Sequence, residues 1–385
     1  MVNGELIMKK GYKRTEIGVI PDDWEVKRLE SILKIKHGKN KKEVEDINGK
    51  YPILGTGGQL GSTNSYLYNK PSVLIGRKGT IDKPIYMDTP FWTVDTLFYS
   101  EVYQNAIPKY LYYNFLIINW YSYNEASGVP SLNASRIESI QIPLPPLPEQ
   151  KAIAEVLSDT DNLIQALEKR IAKKRLIKQG AMQKLLTPKD DWEVKKLGEI
   201  AYFMNGKAHE QFIDEYGDFI VINSKFISTN GEIYKNAKIN LCPLRKGDIT
   251  MVMSDIPNGK ALAKSFIVPK NEKYALNQRI CALRTEIADN NFLACILNRN
   301  KYYLSFDSGT GQTNLKKDNV LECPIPLPPT KEQQTHIATI LSDMDSEIEA
   351  LEKKRAKYKQ LKQGLMQNLL TGKILFPNAN QQSDL

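Results

Sequence analysis

The sequence predicts an α+β protein: two β-rich mixed domains alternate with two long helices that pack as an antiparallel coiled coil, giving an internal pseudo-two-fold repeat. Three observations lead to this fold class. Blocks of sequence recur about 180 residues apart, two long segments carry coiled-coil spacing, and short apolar runs between turn residues fill the rest. A chain of 385 residues has room for two domains, each able to bury its own core.

The repeat sets the order of the domains. Residues 163–187 and 347–371 are identical at 15 of 25 positions, and both end in KQG-x-MQ-x-LLT. Upstream, IPLPPLPEQ returns as IPLPPTKEQ, and DDWEVKRLESI returns as DDWEVKKLGEI. This period is too long for a solenoid, so each half is a domain followed by a helix. The predicted segments are a first domain at 1–146, a spacer helix at 147–188, a second domain at 189–329, a second spacer helix at 330–373 and a polar tail at 374–385.

Both long segments have the apolar spacing of a coiled-coil seam, alternating four and three residues. Pro148 suits a first helical turn and Thr330-Lys-Glu-Gln333 is typical of a capping box, so each helix should have about 39 residues and be about 55–60 Å long. A lone helix must bury such a stripe, and the simplest partner is the other copy. The predicted seam residues are Ile153, Leu157, Ile164, Leu167, Leu185, Ile337, Leu341, Ile348, Leu351 and Leu369.

Basic residues interrupt the middle of this seam. Lysines stand at positions 174 and 178 of the first copy, and Arg355 and Lys362 stand in the second. One interpretation is a solvated stretch or a slip in register. The other is a face kept for a second protein.

The regions between the repeats predict mixed, β-rich domains. Apolar runs such as YPILGTGG and KGDITMVMS lie between Gly, Asn, Pro and Asp residues, and a helix-like apolar segment follows them in each domain. Each domain then has a polar loop of small residues, 127–137 or 308–320. The IPLPP that follows is expected to stiffen the junction to the helix.

Composition favours a polyanionic partner and a reducing compartment. The net charge is +9 and the pI is near 9.0. The four cysteines, 242, 281, 295 and 323, include no CxxC pair, which is typical of buried free thiols in the cytosol. The N-terminus lacks an apolar signal core, and the apolar-rich run 110–121 is too short to span a bilayer. A cytoplasmic protein with no membrane partner is expected.

Motifs for catalysis, cofactors or metals are missing from the sequence. It has no (N/D/S)PP(Y/F) tetrapeptide and no GxxxxGK[ST] loop, and GTGGQLG at 55–61 precedes STNSYLY rather than a helix. The three histidines are dispersed. PDDWEVK resembles a nuclease motif, but its carboxylates are crowded, so a structural strand with Trp24 or Trp192 as a core anchor is favoured. No catalytic residue, cofactor or metal site is predicted.

The doubled spacer resembles the specificity (S) subunit of Type I restriction–modification systems. The motifs that carry the resemblance are PLPPLPEQKAIAEVLSD with KQGAMQKLLT, and PLPPTKEQQTHIATILSD with KQGLMQNLLTG. The resemblance covers nearly the whole chain, apart from about 14 leading residues. It implies a non-enzymatic subunit with two target-recognition domains that reads double-stranded DNA. It also implies docking of two methylation (M) subunits, which recruit restriction (R) subunits. S-adenosylmethionine and ATP would then bind the partner subunits only.

Candidate DNA-binding residues are those whose side chains or backbone could reach bases and phosphates from loops. We predict Gly57, Gly58, Gln59, Arg77, Lys78, Ser131, Asn133 and Arg136 in the first domain, and Ser224, Lys225, Asn258, Lys260, Gln278, Arg279, Gln312, Asn314 and Lys316 in the second.

The predicted target is an asymmetric bipartite DNA sequence, because the two domains differ. If both face one side of the duplex, half-sites of about 3–5 bp would have centres roughly 10 bp apart, with an unread gap of about 6 bp. Helix length would govern that gap. One alternative is a stand-alone sequence-specific DNA-binding regulator, which would bind tightly without a partner. Another is an enzyme with a fused nuclease or methylase, which would need the missing motifs.

Overall fold

A computed structural model describes residues 11–256, 260–307, 309 and 311–374. They form two compact units, one made of the residues up to 169 with those from 352 onward, and the other of residues 170–351. The predicted segments kept each helix separate from the domains, whereas each unit combines one domain with part of both long helices. The prediction of a mixed α and β fold is confirmed.

The first domain is built mainly from short strands, as its apolar runs predict. Its strands are β1 Tyr12–Thr15, β2 Gly18–Pro21, β3 Glu25–Arg28, β4 Leu33–Lys36, β5 Tyr51–Gly55, β6 Gly58–Thr63, β7 Ser72–Gly76, β8 Ile85–Met87, β9 Trp92–Thr93, β10 Leu97–Val102 and β11 Gln141–Leu144. Its α-helices are α1 Pro108–Ile117 and α2 Ala134–Glu138, and the first long helix is α3 Leu147–Leu185.

The second domain has a similar series of elements. Its strands are β12 Glu193–Lys196, β13 Tyr202–Asn205, β14 Phe219–Ile222, β15 Asn236–Ala237, β16 Ile249–Val252, β17 Ser254–Asp255, β18 Ser265–Ile267, β19 Tyr274–Leu276, β20 Ile280–Arg284, β21 Thr313–Asn314 and β22 Pro324–Leu327. Its helices are α4 Leu197–Ile200, α5 Ser224–Ser228, α6 Asn290–Leu297, α7 Lys301–Leu304 and α8 Lys317–Leu321, and the second long helix is α9 Lys331–Leu369.

The two domains share one sheet topology. A four-stranded antiparallel sheet has the order β4-β10-β7-β8 in the first domain and β13-β20-β16-β18 in the second. A three-stranded sheet has the order β6-β5-β9 in the first domain and β15-β14-β19 in the second. The last two strands of each order, β5 with β9 and β14 with β19, are parallel. The internal repeat therefore extends through the regions where the two sequences differ.

The proline-rich segments before the long helices form strands, a pairing that the expectation of a stiff junction did not include. β11 pairs antiparallel with β3, and β22 pairs antiparallel with β12, so IPLP closes each domain against its WEVK strand. Proline is tolerated here because both strands of a two-stranded sheet are edges, where a missing N–H need not interrupt a ladder. The prediction that WEVK is a structural strand is confirmed.

The two repeated tryptophans are core residues to different degrees. Trp24 is 0% exposed and lies in a cluster with Tyr110 and Tyr113. Trp192 is partly buried beside the second core, with its ring centroid 6.1 Å from that of Phe292. The predicted anchoring role is confirmed, and it is stronger in the first domain.

Each long helix has 39 residues, as the spacing predicts. The start of α9 is capped by Thr330, whose hydroxyl accepts a hydrogen bond from the Gln333 backbone at 3.3 Å. Most of the predicted seam is buried. Ile153, Leu157, Ile164, Leu167 and Leu369 are buried in the first unit; in the second, Ile337, Leu341 and Ile348 are buried while Leu185 and Leu351 are half-buried.

Part of the apolar stripe packs on a domain rather than on the other helix. Ile153 and Leu157 belong to the same buried cluster as Trp24, and Ile337 and Leu341 belong to the core of the second domain. The stripe therefore also attaches each helix to the domain that precedes it.

The basic residues in the seam form ion pairs across the helices. In the first unit Lys362 lies 2.6 Å from Asp161, and Lys359 lies 2.7 Å from Glu168. The hydrogen bond and charge of Lys359 hold the pKa of Glu168 below its ordinary value. From one pair to the next, the residue number rises on α3 and falls on α9, so these two helix segments run antiparallel.

The second unit has the same kind of pairing. Lys174 lies 2.7 Å from Glu347, and Lys178 pairs with Asp345. Three of the four interrupting residues, at 174, 178 and 362, are thus held by acidic residues of the other helix. Neither predicted interpretation of the interruption included this pairing.

Candidate nucleic-acid interface

Two predicted loops of the first domain lie side by side. The Gly79 N–H donates to the Pro130 carbonyl at 2.9 Å, and Lys78 and Ser131 form an isolated antiparallel bridge. The Leu132 N–H then donates to the Arg77 carbonyl at 2.9 Å. These bonds place the Arg77–Lys78 turn and the loop around Ser131 on one surface.

The glycine hairpin reaches the same surface. Thr56 and Gly57 form the two-residue turn between β5 and β6, since Gly55 pairs with Gly58. A Cβ at Gly76 would lie 3.1 Å from the Thr56 methyl group, and one at Gly79 would lie 3.6 Å from its hydroxyl. The predicted residues Gly57, Gly58 and Gln59 therefore stand next to the other two loops. The hairpin leads into a strand rather than a helix, so it is unlike a nucleotide-binding loop.

Two predicted residues of the first domain belong to a short helix and its cap rather than to an irregular loop. Asn133 is the N-cap of α2, and its side-chain oxygen accepts a hydrogen bond from the Ser135 backbone at 3.1 Å. Arg136 is exposed within that helix. Asparagine favours the N-cap because it satisfies a free N–H of the first turn, so part of the role of Asn133 is structural.

The second domain brings the corresponding segments together. β17 pairs with β21, placing Ser254 opposite Asn314. The Leu315 N–H donates to the Met253 carbonyl at 2.8 Å, and the Gln312 amide donates to the Ser254 hydroxyl at 2.6 Å. Lys316 directly follows this contact. Lys260 is exposed near it, and Asn258 lies outside the described residues.

The turn before β20 completes this second cluster. The Arg279 carbonyl accepts a hydrogen bond from the Met253 N–H at 3.0 Å, and Arg279 is exposed. The Gln278 amide donates to Glu210 at 3.0 Å. Burial alone would raise the pKa of Glu210. That pKa nevertheless lies below its ordinary value, because the backbone N–H of Glu210 and the Asn277 and Gln278 amides donate to the carboxylate.

Ser224 and Lys225 lie on a helix, which corrects their placement in a loop. They begin α5, whose N-cap Asn223 accepts a hydrogen bond from the Phe226 backbone at 2.9 Å. The Asn277 N–H donates to the Ile222 carbonyl at 3.1 Å, so this helix starts beside the same turn.

Sequence reasoning missed a Gly-Lys dipeptide that recurs in both clusters. It occupies 38–39 and 206–207, and each lysine stands 15 residues after the repeated tryptophan. A Cβ at Gly38 would lie 2.0 Å from the Val94 carbonyl oxygen, and one at Gly206 would lie 1.9 Å from that of Asn277. Only glycine fits this close approach. The recurring spacing was the signal that could have found it.

Both surfaces carry several basic residues. Apart from Arg77, which is half-buried, the basic residues of the two clusters are exposed. Within the described part of the chain, none of them takes part in an ion pair. They are Lys39, Arg77, Lys78, Arg136, Lys207, Lys225, Lys260, Arg279 and Lys316. Such a surface suits a polyanion.

Other kinds of site have little support in the described residues. Among them, no group of three or more His, Cys, Asp and Glu side chains is arranged to hold a metal ion. The four cysteines are free thiols, and Cys281 and Cys323 are buried. In the same part of the chain, no helix has the length and apolarity needed to cross a membrane.

Comparison with known proteins agrees with the repeat and the fold. A relative from Methanocaldococcus jannaschii, the Type I restriction enzyme MjaVIII specificity subunit, is 29% identical over 94% of this chain and 95% of its own length. The putative type I restriction enzyme MjaX specificity subunit of the same organism is also 29% identical, over 95% of this chain and 97% of its own length.

Two solved structures share the fold. The S subunit of a Type I restriction–modification system from M. genitalium aligns with a TM-score of 0.65 at 18% identity, covering 90% of this chain and 96% of that one. A chain from a study of complex assembly and conformational transition of the type I R-M system aligns with a TM-score of 0.56 at 13% identity. The alignment covers 92% of this chain and 99% of that one. The profile described as Type I restriction modification DNA specificity domain matches residues 21–175 and 189–362. The chain therefore belongs to the family of Type I restriction modification DNA specificity domains.

Proposed function

We propose that this protein is the DNA sequence-recognition subunit of a Type I restriction–modification complex, with each domain reading one half of an asymmetric bipartite target. One observation carries the proposal: the two domains have the same sheet topology, and each has a cluster of loops at the corresponding place. Both clusters are basic, yet their exposed amide side chains differ: Gln59 and Asn133 in one, Gln312 and Asn314 in the other. Two similar frameworks with different loop residues suit two different half-sites.

The helices are proposed to form an antiparallel coiled coil that relates the domains by a pseudo-two-fold axis and sets the distance between the half-sites. Their equal length of 39 residues and the antiparallel ion pairs within each unit support this arrangement. Leu176 is 69% exposed and Leu361 is 49% exposed on these helices, so both side chains would be available to partner proteins.

Those partners are proposed to be two methylation subunits, through which restriction subunits join. Methyl transfer with S-adenosylmethionine and ATP-driven steps would then be carried out by these subunits. This chain would bind and orient DNA without catalysing a reaction itself. Its basic loop clusters provide the groups that such binding requires, namely backbone N–H groups, amides and cations.

Sequencing of modified adenines tests the proposal. The chain is co-expressed with its methylation subunit in a host that lacks other adenine methylation. We expect a single asymmetric split motif that disappears when this chain is omitted. A complex that forms but modifies no motif would contradict the recognition role. Tight specific DNA binding without any partner would instead favour a stand-alone regulator.

Helix length is expected to set the gap in the target. Four residues inserted into each helix, between 169 and 170 and between 351 and 352, add about 6 Å to each. The unread gap should grow by about one to two base pairs at 3.4 Å per step, while both half-sites stay unchanged. Matched insertions keep the antiparallel partners facing one another, whereas an insertion in one helix alone shifts their pairing. An unchanged gap in the methylated motif of a folded double insertion would refute the role of the helices.

A further inference from the structure

The Gly-Lys turns hold their lysines in equivalent positions in the two domains. The Lys39 N–H donates to the Thr93 carbonyl at 2.8 Å, and the Lys207 N–H donates to the Leu276 carbonyl at 3.0 Å. Thr93 and Leu276 are the last residues of β9 and β19, the strands that pair in parallel with β5 and β14. Each lysine therefore stands where a parallel strand pair ends, beside the loop cluster of its domain.

The carbonyl groups of the two lysines are also fixed, by different side chains. The indole N–H of Trp92 donates to the Lys39 oxygen at 3.0 Å. In the second domain Nδ1 of His209 lies 2.7 Å from the Lys207 oxygen, and Nε2 of His209 accepts from the Leu241 N–H at 3.1 Å, so Nδ1 carries the proton. Two unrelated aromatic rings thus impose the same backbone position on a lysine.

The ammonium groups themselves are free to bind a ligand. Both lysines are exposed, and in the described part of the chain neither ammonium forms an ion pair or a hydrogen bond. A turn that is fixed at its backbone while its cation stays unpaired is well arranged for an anion, because little backbone freedom is lost on binding.

We infer that Lys39 and Lys207 each contact a DNA phosphate, one beside each half-site; this inference rests on the proposed function. The domains are proposed to read different bases, so a residue that recurs at the same position in both cannot discriminate between their half-sites. A phosphate is present at every step of the duplex, and Lys binds it as a point charge. The two lysines set the register of each domain on the backbone, and the variable loops read the bases.

The salt dependence of DNA binding tests the inference. The assembled complex with its methylation subunits is titrated into fluorescent DNA carrying the methylated motif, at KCl concentrations from about 0.05 to 0.3 M. Lys39→Gln or Lys207→Gln should make the negative slope of log K against log salt shallower by about 0.9, and the double variant by about twice that. At 0.1 M salt each single variant should bind about eight-fold more weakly. Lys39→Arg and Lys207→Arg should retain most of the wild-type affinity.

A second repeated pair of lysines provides the control. Lys27 and Lys195 occupy equivalent positions on β3 and β12 and lie 2.8 and 3.1 Å from Glu25 and Glu193. Lys27→Gln and Lys195→Gln change the net charge equally but should leave the slope at its wild-type value. An equal loss of slope in these controls would show a general effect of charge and overturn the inference.

DNA with one half-site scrambled separates phosphate contact from base reading. Lys39→Gln and Lys207→Gln should weaken binding to intact and scrambled DNA by the same factor, so the ratio of the two affinities stays constant. A collapse of that ratio would make the lysines base readers and overturn the inference, as would an unchanged salt slope. A wild-type complex with no preference for the intact motif would refute the proposed function itself, and the inference with it.

Discussion

Replacing Trp24 by alanine is expected to lower the free energy of unfolding of the first unit by about 4 kcal/mol. The indole is 0% exposed, and its N–H donates to a Glu149 carboxylate oxygen at 2.9 Å. Its loss leaves a cavity and removes that hydrogen bond. Hydrogen exchange of peptides from each domain should show faster exchange in the first unit only, because local opening energies report each unit separately.

Trp192→Ala is the matched control, since it removes the same side chain from the same repeated motif. Trp192 is only partly buried, so the second unit should lose roughly half as much stability. Equal losses in the two variants would contradict the assignment of Trp24 as the more deeply packed anchor.

Replacing Asp248 by alanine is expected to destabilise the second unit by about 3 kcal/mol. Asp248 is 1% exposed, and its carboxylate accepts from Nε and Nη2 of Arg284, both at 2.7 Å. It also accepts from the Arg245 backbone N–H at 2.8 Å. The hydrogen bond and charge of Asp248 raise the pKa of Arg284 above its ordinary value. The substitution leaves both donors without their acceptor.

Lys238→Ala removes one partner of an exposed ion pair and is the control for Asp248→Ala. The Lys238 side chain is 67% exposed and lies 2.9 Å from Asp214, so its loss should change stability by less than about 1 kcal/mol. Chemical denaturation monitored by exchange in peptides of the second unit measures both variants. A loss below 1 kcal/mol in Asp248→Ala would show that the buried pair contributes little.

The long helices and the repeat could be predicted because their signals are local or recur within the chain. Heptad spacing places apolar residues on one face whatever surrounds the helix, so the 39-residue length agrees with the structure. The sequence did not show how the lysines at 174, 178 and 362 would be held, because their acidic partners are more than 160 residues away in the chain.

The strand nature of IPLP could not be predicted from its own residues, because proline generally argues against a strand. Val26 and Pro143 face one another across 117 positions of sequence, and only that pairing makes the segment an edge strand. Similarly, Asn133 and Ser224 looked like loop residues, but Asn133 is the N-cap of α2 and Ser224 is the first residue of α5.

By itself, the sequence determined the doubled architecture, the two long helices with most of their seam, and the β-rich character of each domain, because periodicity and repetition can be read along the chain. The tertiary structure alone decided which loops meet and which polar groups are already engaged. The turns at 77–78 and 131–133 lie together, the Gln278 and Gln312 amides donate hydrogen bonds, and the ammonium groups of Lys39 and Lys207 have no partner among the described residues. These outcomes depend on hydrogen bonds between residues far apart in the chain, which no local pattern encodes.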